Sequence, residues 1–152
     1  MPALAAAGCA FLVAVLWFDL MFDVQARRGP DPLPPTVLAS IGAYYRRVTT
    51  EASPMGRLVA LVMLATLAAL VAEIATRAAP SWLGAPSLIL VLSAVGLALG
   101  RTVRNAARLG AAGDDDGVRS RLARLILFDH LYCLAAMTIA LTLQVWAAVD
   151  RR

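Results

Sequence analysis

Four long apolar stretches, separated by short polar ones, set the rhythm of this chain. The first covers about residues 3–24 and stops at "QARRGPDPLPP"; the second runs over about 54–79 and ends before Pro80. The third, about 86–109, loses its apolar character at Arg101, and the fourth, about 122–149, follows the break "GAAGDDDG". Each is long enough for the roughly 20 residues of helix that cross hydrocarbon. Pro54 suits a first helical turn, and the Asp114–Asp116 run suits the N-terminus of the fourth helix. Between the first two stretches, "TVLASIGAYYRRV" places Val37, Ile41, Tyr44, Tyr45 and Val48 close to a helical period, with Arg46 and Arg47 at its end. That pattern predicts a short helix lying in the cytoplasmic interface, although a loop helix packed on the bundle reads the same way. The expected fold is all-α: an integral membrane four-helix bundle with a short interfacial helix in the first loop, residues 1–152 forming one membrane domain.

Composition points the same way. The chain is 61% hydrophobic with a mean hydropathy of +0.74, against about 45–50% apolar for soluble domains. Close packing of the helices is expected from small residues: Ala6, Ala10 and Ala14, then Gly96 and Gly100, then Ala136 and Ala140. All 14 basic residues are arginine, a usage that a GC-rich coding sequence accounts for. The formal charge of +4 sits at helix ends, so no nucleic-acid partner is expected. Eleven arginines flank the first and third loops (27, 28, 46, 47, 57, 101, 104, 108, 119, 121 and 124), and three fall on the other side (77, 151 and 152). By the positive-inside rule the arginine-rich loops are cytoplasmic. The expected location is a bacterial inner membrane with both termini periplasmic or extracellular and Trp82 and Trp146 at the outer interface. "AAGC" precedes the first apolar run rather than following it, so that run is expected to be a retained span. Cys9 and Cys133 fall near opposite faces on this layout, which leaves no disulfide to expect.

The polar residues inside the spans carry the candidate chemistry. Counted from Arg27 at 1.5 Å per residue, Asp19 lies about 12 Å inside and Asp23 about 6 Å; counted from Arg124, His130 lies about 9 Å inside, next to Asp129. The four therefore share one level of the bundle. Arg101, Arg104 and Arg108 project broadly from one face of the third helix, with Asn105 beside them. An aspartate at the centre of a membrane costs roughly 2.5–3.5 kcal/mol on insertion scales, so these groups are expected to face inward and pair. Arg101 or Arg104 are the expected partners of the acids, and His130 can bond Asp19. A ring of Asp–Arg pairs that only fixes helix register produces the same pattern, as does a simple i, i+4 pair for Glu73 and Arg77. His130 and Cys133, even with Met137, supply too few ligands for a metal. No HExxH, CxxC, P-loop or GxSxG motif occurs, and no cofactor is expected.

The layout, with "TVRNAARL" (102–109) closing the third span and "FDHLYC" (128–133) opening the fourth, resembles the anthrone-oxygenase-like superfamily of small four-span membrane proteins. The resemblance implies Asn105 and His130 as the carried-over polar residues and cofactor-free oxygenation of an electron-rich phenol; Asp129, Tyr132 and Cys133 stand where that family has other residues. One expectation is thus a cytoplasmic-side pocket that binds or transforms a small aromatic or amphipathic molecule. His130 would move the proton, Asp19 would orient it, and Asp23, Arg101, Arg104, Asn105 and Asp129 would contact the ligand. The alternative is a non-catalytic accessory subunit packed against a larger membrane complex through Gly96, Gly100 and the arginine-rich cytoplasmic surface; membrane lipids and a homo-oligomer are the other partners considered.

Overall fold

The computed structural model describes residues 1–51 and 53–150; Arg151 and Arg152 of the charge count lie outside them. The chain is all-helical, and the described residues contain no strand. Six α-helices follow in order: α1 (Pro2–Asp23), α2 (Pro35–Arg46), α3 (Ser53–Ala75), α4 (Ser81–Leu97), α5 (Val103–Ala111) and α6 (Asp116–Val149). A π-helical turn, Ala98–Thr102, joins α4 to α5, so the two run on as one helix of 31 residues. Four helices are therefore long and apolar enough to cross a membrane: α1, α3, α4–α5 and α6.

Two N-terminal boundaries differ from the hydropathy reading. The third long helix begins at Ser81, with Pro80 at its N-cap and Pro86 inside it. The fourth begins at Asp116, where the Asp115 carboxylate accepts the Val118 N–H at 2.9 Å. Hydropathy marks where polar residues give way to apolar ones, whereas a cap marks where the backbone starts to coil. Asp114 instead takes the Arg108 guanidinium on two bonds of 2.7 Å, which holds its carboxyl below the usual carboxylate range.

In cross-section α1 packs between α3 and α6, and α4 also packs between α3 and α6, closing a ring of four. Its core runs from Ala5, Cys9 and Leu12 through Leu70, Val91 and Ala94 to Cys133, Met137 and Ala140. Ala10 and Ala14 point outward, one helical position off the buried stripe, while Ala136 and Ala140 are buried as the small-residue pattern suggests. The close approach falls at Gly8, where a Cβ would lie 2.0 Å from Thr66 Oγ1. Gly96 and Gly100 are exposed, and a Cβ on either would meet no other atom of the chain within 4 Å.

A second apolar cluster, at the arginine-rich end, gathers Leu33, Leu38, Ile41, Tyr45, Leu109, Leu122 and Ile126. Here α2 crosses α5 and the first turns of α6. The apolar face of α2 is thus covered by the chain itself, with Val37, Tyr44 and Val48 at its margin. The segment before it is pinned to α6: the Leu33 N–H donates to Ser120 Oγ at 2.8 Å, Arg119 donates to the Leu38 carbonyl at 3.2 Å, and Arg124 donates to the Pro30 carbonyl at 2.9 Å. This clamp fixes where α2 lies, and so where its two tyrosines reach.

Candidate functional site

Asp19 and Asp23 are one turn apart on α1, facing the bundle. Tyr44 and Tyr45 are consecutive on α2, so their side chains diverge by about 100° and meet different acids. Tyr44 Oη donates to Asp19 Oδ1 in a short bond, and Tyr45 Oη donates to Asp23 Oδ1 at 2.5 Å. Phe22 stacks on Tyr44 at 4.0 Å between centroids, and Tyr44 meets Tyr45 edge-on. Burial, together with the carboxylate that each phenol serves, pushes both tyrosines above their ordinary pKa. They are donors throughout the physiological range.

His130, on α6, completes the arrangement. Its Nδ1–H donates to Asp23 Oδ2 at 2.6 Å, so Asp23, fully buried, has a donor on each oxygen. The other ring nitrogen, Nε2, faces Asp19 Oδ2 across 3.9 Å, too far for a direct hydrogen bond. The orienting partner of His130 is therefore Asp23, not the expected Asp19. With Nδ1 held as the donor, Nε2 of the neutral ring carries the free lone pair.

Next to this pair lies a cavity of about 160 Å³. Leu12, Leu16, Val59, Met63 and Ala98 make most of its wall apolar, while Asp19, Tyr45, Thr102, His130 and Cys133 supply polar atoms. Exposed Thr49 and Val103 also belong to its wall. The site is thus an apolar chamber with one imidazole nitrogen and one carboxylate oxygen facing each other across 3.9 Å.

Asp129 belongs to a neighbouring arrangement. Arg101 reaches it with Nε at 3.1 Å and with a shorter contact from the terminal nitrogen, and Thr102 Oγ1 donates to it at 3.0 Å. Both partners come from the π-helical turn, which widens the helix locally and re-aims its side chains; such turns recur at functional sites. The turn also shifts the helical phase, so the three arginines do not share a target. Arg101 serves Asp129, Arg108 serves Asp114, and Arg104 is exposed with no ion pair among the described residues. Asn105 is half-buried and outside the cavity wall. Arg104 and Asn105 are therefore not brought to the acids, and among the described residues neither Asp19 nor Asp23 has an arginine partner. Substituting Asp129→Asn is expected to loosen this turn, raising amide hydrogen exchange over residues 98–106 and costing about 2 kcal/mol for the weakened charge-assisted bonds. Unchanged exchange there would show that the turn holds without the carboxylate.

Tyr44, Tyr45 and Thr102 are the site residues that pattern reading passes over. The available signal was a pair of phenols on the helix following a span that carries two unpaired acids. Among the described residues, no three His, Cys, Asp or Glu side chains converge as a metal site. Comparison with protein-family models, curated proteins and solved structures gave no match.

Proposed function

We propose that this chain is an integral membrane protein whose buried chamber binds a small, hydroxyl-bearing aromatic or amphipathic molecule. The single observation that carries this reading is the 3.9 Å gap between His130 Nε2 and Asp19 Oδ2 at the wall of an apolar cavity. A hydroxyl oxygen set about 2 Å off the line between them would sit about 2.8 Å from both; its single proton is donated to one of the two, and it accepts from the other only when that group carries a proton. The volume is close to the ~150 Å³ of an engineered apolar cavity that takes benzene, so a single ring is the matching size.

The membrane setting rests on the four long apolar helices and on what they leave outside. Trp17, Phe18, Leu61, Leu64, Ile89 and Phe128 are each more than 60% exposed, an apolar surface that water does not tolerate at this extent. With the arginine-rich end cytoplasmic, α2 lies at the inner interface, both termini face the periplasm or exterior, and the ligand enters from the inner leaflet past Val103. If the molecule is transformed, His130 Nε2 takes the hydroxyl proton, and the resulting imidazolium sits between the Asp23 and Asp19 carboxylates. The phenolate left behind is the electron-rich species that cofactor-free oxygenation of the anthrone-oxygenase-like kind would require.

Binding of 4-fluorophenol to the detergent-solubilised protein, followed by fluorine NMR, tests this reading. Wild type should bind saturably. His130→Ala, with helicity retained, should bind several-fold to about tenfold more weakly, as expected for losing one hydrogen bond. Equal affinity in that variant would remove the basis for the proposal.

A second reading, an accessory or self-associating subunit, is favoured by one observation: Gly96 and Gly100 present an open face that this chain does not cover. Stoichiometric foreign subunits after mild extraction would support it.

A further inference from the structure

At the other end of the bundle, about 21 Å along α6 from His130 at 1.5 Å per residue, three polar side chains meet in an apolar setting. Glu73 of α3, Ser87 of α4 and Gln144 of α6 are each 0% exposed. The simple Glu73–Arg77 pair expected on a continuous helix is absent. Helix α3 ends at Ala75, and Arg77 sits in a left-handed turn (φ 50°), exposed and with no ion pair among the described residues. Glu73 instead turns inward.

The geometry there is specific. Gln144 Nε2 donates to Ser87 Oγ at 3.1 Å and to Glu73 Oε1 at 3.4 Å. Ser87 Oγ donates in turn to the Leu83 carbonyl at 2.8 Å. Both amide hydrogens are therefore committed, which fixes the amide nitrogen toward Glu73 Oε1. Two atoms remain buried and unpartnered: Glu73 Oε2 and Gln144 Oε1. Both are acceptors when the carboxyl is ionised, and no donor reaches either of them. A carboxylic acid and a primary amide satisfy each other as a ring, with amide N–H to acid C=O and acid O–H to amide C=O. One bond of that ring, Gln144 Nε2 to Glu73 Oε1, is present at 3.4 Å, and Glu73 Oε2 and Gln144 Oε1 are the two atoms it leaves without a partner.

Among the described residues no charged side chain pairs with Glu73. α4 contains no ionisable side chain, α1 carries none before Asp19 except the Cys9 thiol, and α6 has none between Cys133 and Asp150. No salt bridge, including one from the N-terminal amine, reaches Glu73 among the described residues. A buried, unpaired carboxylate is the costliest state available to such a group.

We propose that Glu73 and Gln144, with Ser87 orienting the amide, form a buried proton-binding site distinct from the Asp–His chamber. It does not depend on the ligand reading given above. The proton carried by the Glu73 carboxyl is the ligand of this site.

The chain has only two glutamates, Glu51 and Glu73, and Glu51 is exposed, so the wild-type spectrum separates the two. The full chain, labelled with carboxyl-¹³C glutamate and placed in lipid nanodiscs, is read by isotope-edited infrared spectroscopy in sodium-free buffer at neutral pH. The expected spectrum contains one carboxylate, lost in Glu51→Gln, and one protonated acid, lost in Glu73→Gln. In Gln144→Leu the acid band should persist but move to higher frequency as its hydrogen bond disappears, a shift that a purely packing role does not produce. Two ionised glutamates in the wild-type spectrum would overturn the proposal. So would conversion of the acid to carboxylate when sodium chloride replaces choline chloride, which would make this an alkali-ion site instead.

Discussion

Asp23→Ala is expected to cost about 3–6 kcal/mol, two hydrogen bonds to an ionised carboxylate at about 1.5–3 kcal/mol each. The reason is the completeness of its bonding. Asp23 is 0% exposed, with Tyr45 Oη on one oxygen and His130 Nδ1–H on the other. The truncation strands two buried donors from two other helices at once, and each stranded donor carries its own desolvation penalty. Against a total stability of about 5–15 kcal/mol this is a large fraction. Asp23→Asn separates stability from chemistry. Its amide oxygen can still serve Tyr45, but its NH₂ opposes His130 Nδ1–H and drives the ring proton to Nε2. That variant should lose less stability, about 1–3 kcal/mol, yet bind 4-fluorophenol as poorly as His130→Ala if the Nε2 lone pair accepts the hydroxyl. Equilibrium unfolding in mixed micelles measures the first effect and the fluorine signal the second. A cost for Asp23→Ala no greater than for exposed Asp31→Ala would show that the buried pairing carries no weight.

The sequence carried the depth of this site better than its bonding. Four long apolar helices, and the coincidence in level of Asp19, Asp23 and His130 on α1 and α6, follow from counting residues along helices of known rise, and the structure brings these three together. What counting cannot supply is which side chain crosses from a neighbour. The tyrosine donors reach the acids because residues 30–38 are tied to α6 through Ser120, Arg119 and Arg124, contacts between segments more than eighty positions apart. No local period encodes them. Of the arginine assignment, Arg101 pairs with Asp129, whereas Arg104 reaches no acid among the described residues. That assignment assumed an unbroken 3.6-residue period from Arg101 to Arg108, and the π-helical turn at Ala98–Thr102 shifts that phase. Glu73 shows the same limit at the other end: whether it faces Arg77 or Gln144 depends on α3 stopping at Ala75, two residues before the expected partner.

Gly110→Ala is expected to destabilise the chain by about 1–3 kcal/mol, the usual cost of overpacking, although alanine is the better helix former. At this position α5 touches α2 backbone to backbone. A Cβ would lie 2.7 Å from the Arg46 nitrogen and 3.0 Å from both Arg46 Cα and the Tyr45 carbonyl carbon. None of these atoms is the movable end of a side chain, so relief requires α2 to lift from α5. That movement would stretch the 3.1 Å bond from Arg46 Nε to the Gly110 carbonyl and withdraw Tyr44 and Tyr45 from Asp19 and Asp23. Ligand affinity should therefore fall together with stability, although Gly110 touches neither the acids nor the chamber. Gly96→Ala and Gly100→Ala provide the contrast, because an added Cβ there meets nothing within 4 Å. Relief from the helix cost of glycine should leave them unchanged or more stable by up to about 1 kcal/mol. Unfolding midpoints of the three variants, measured side by side with 4-fluorophenol binding, test the crossing directly. Opposite signs at Gly110 and Gly96 locate the tight contact between α2 and α5. Equal behaviour would mean that α2 is free to move, and that the tyrosine donors are not held in place by the packing beneath them.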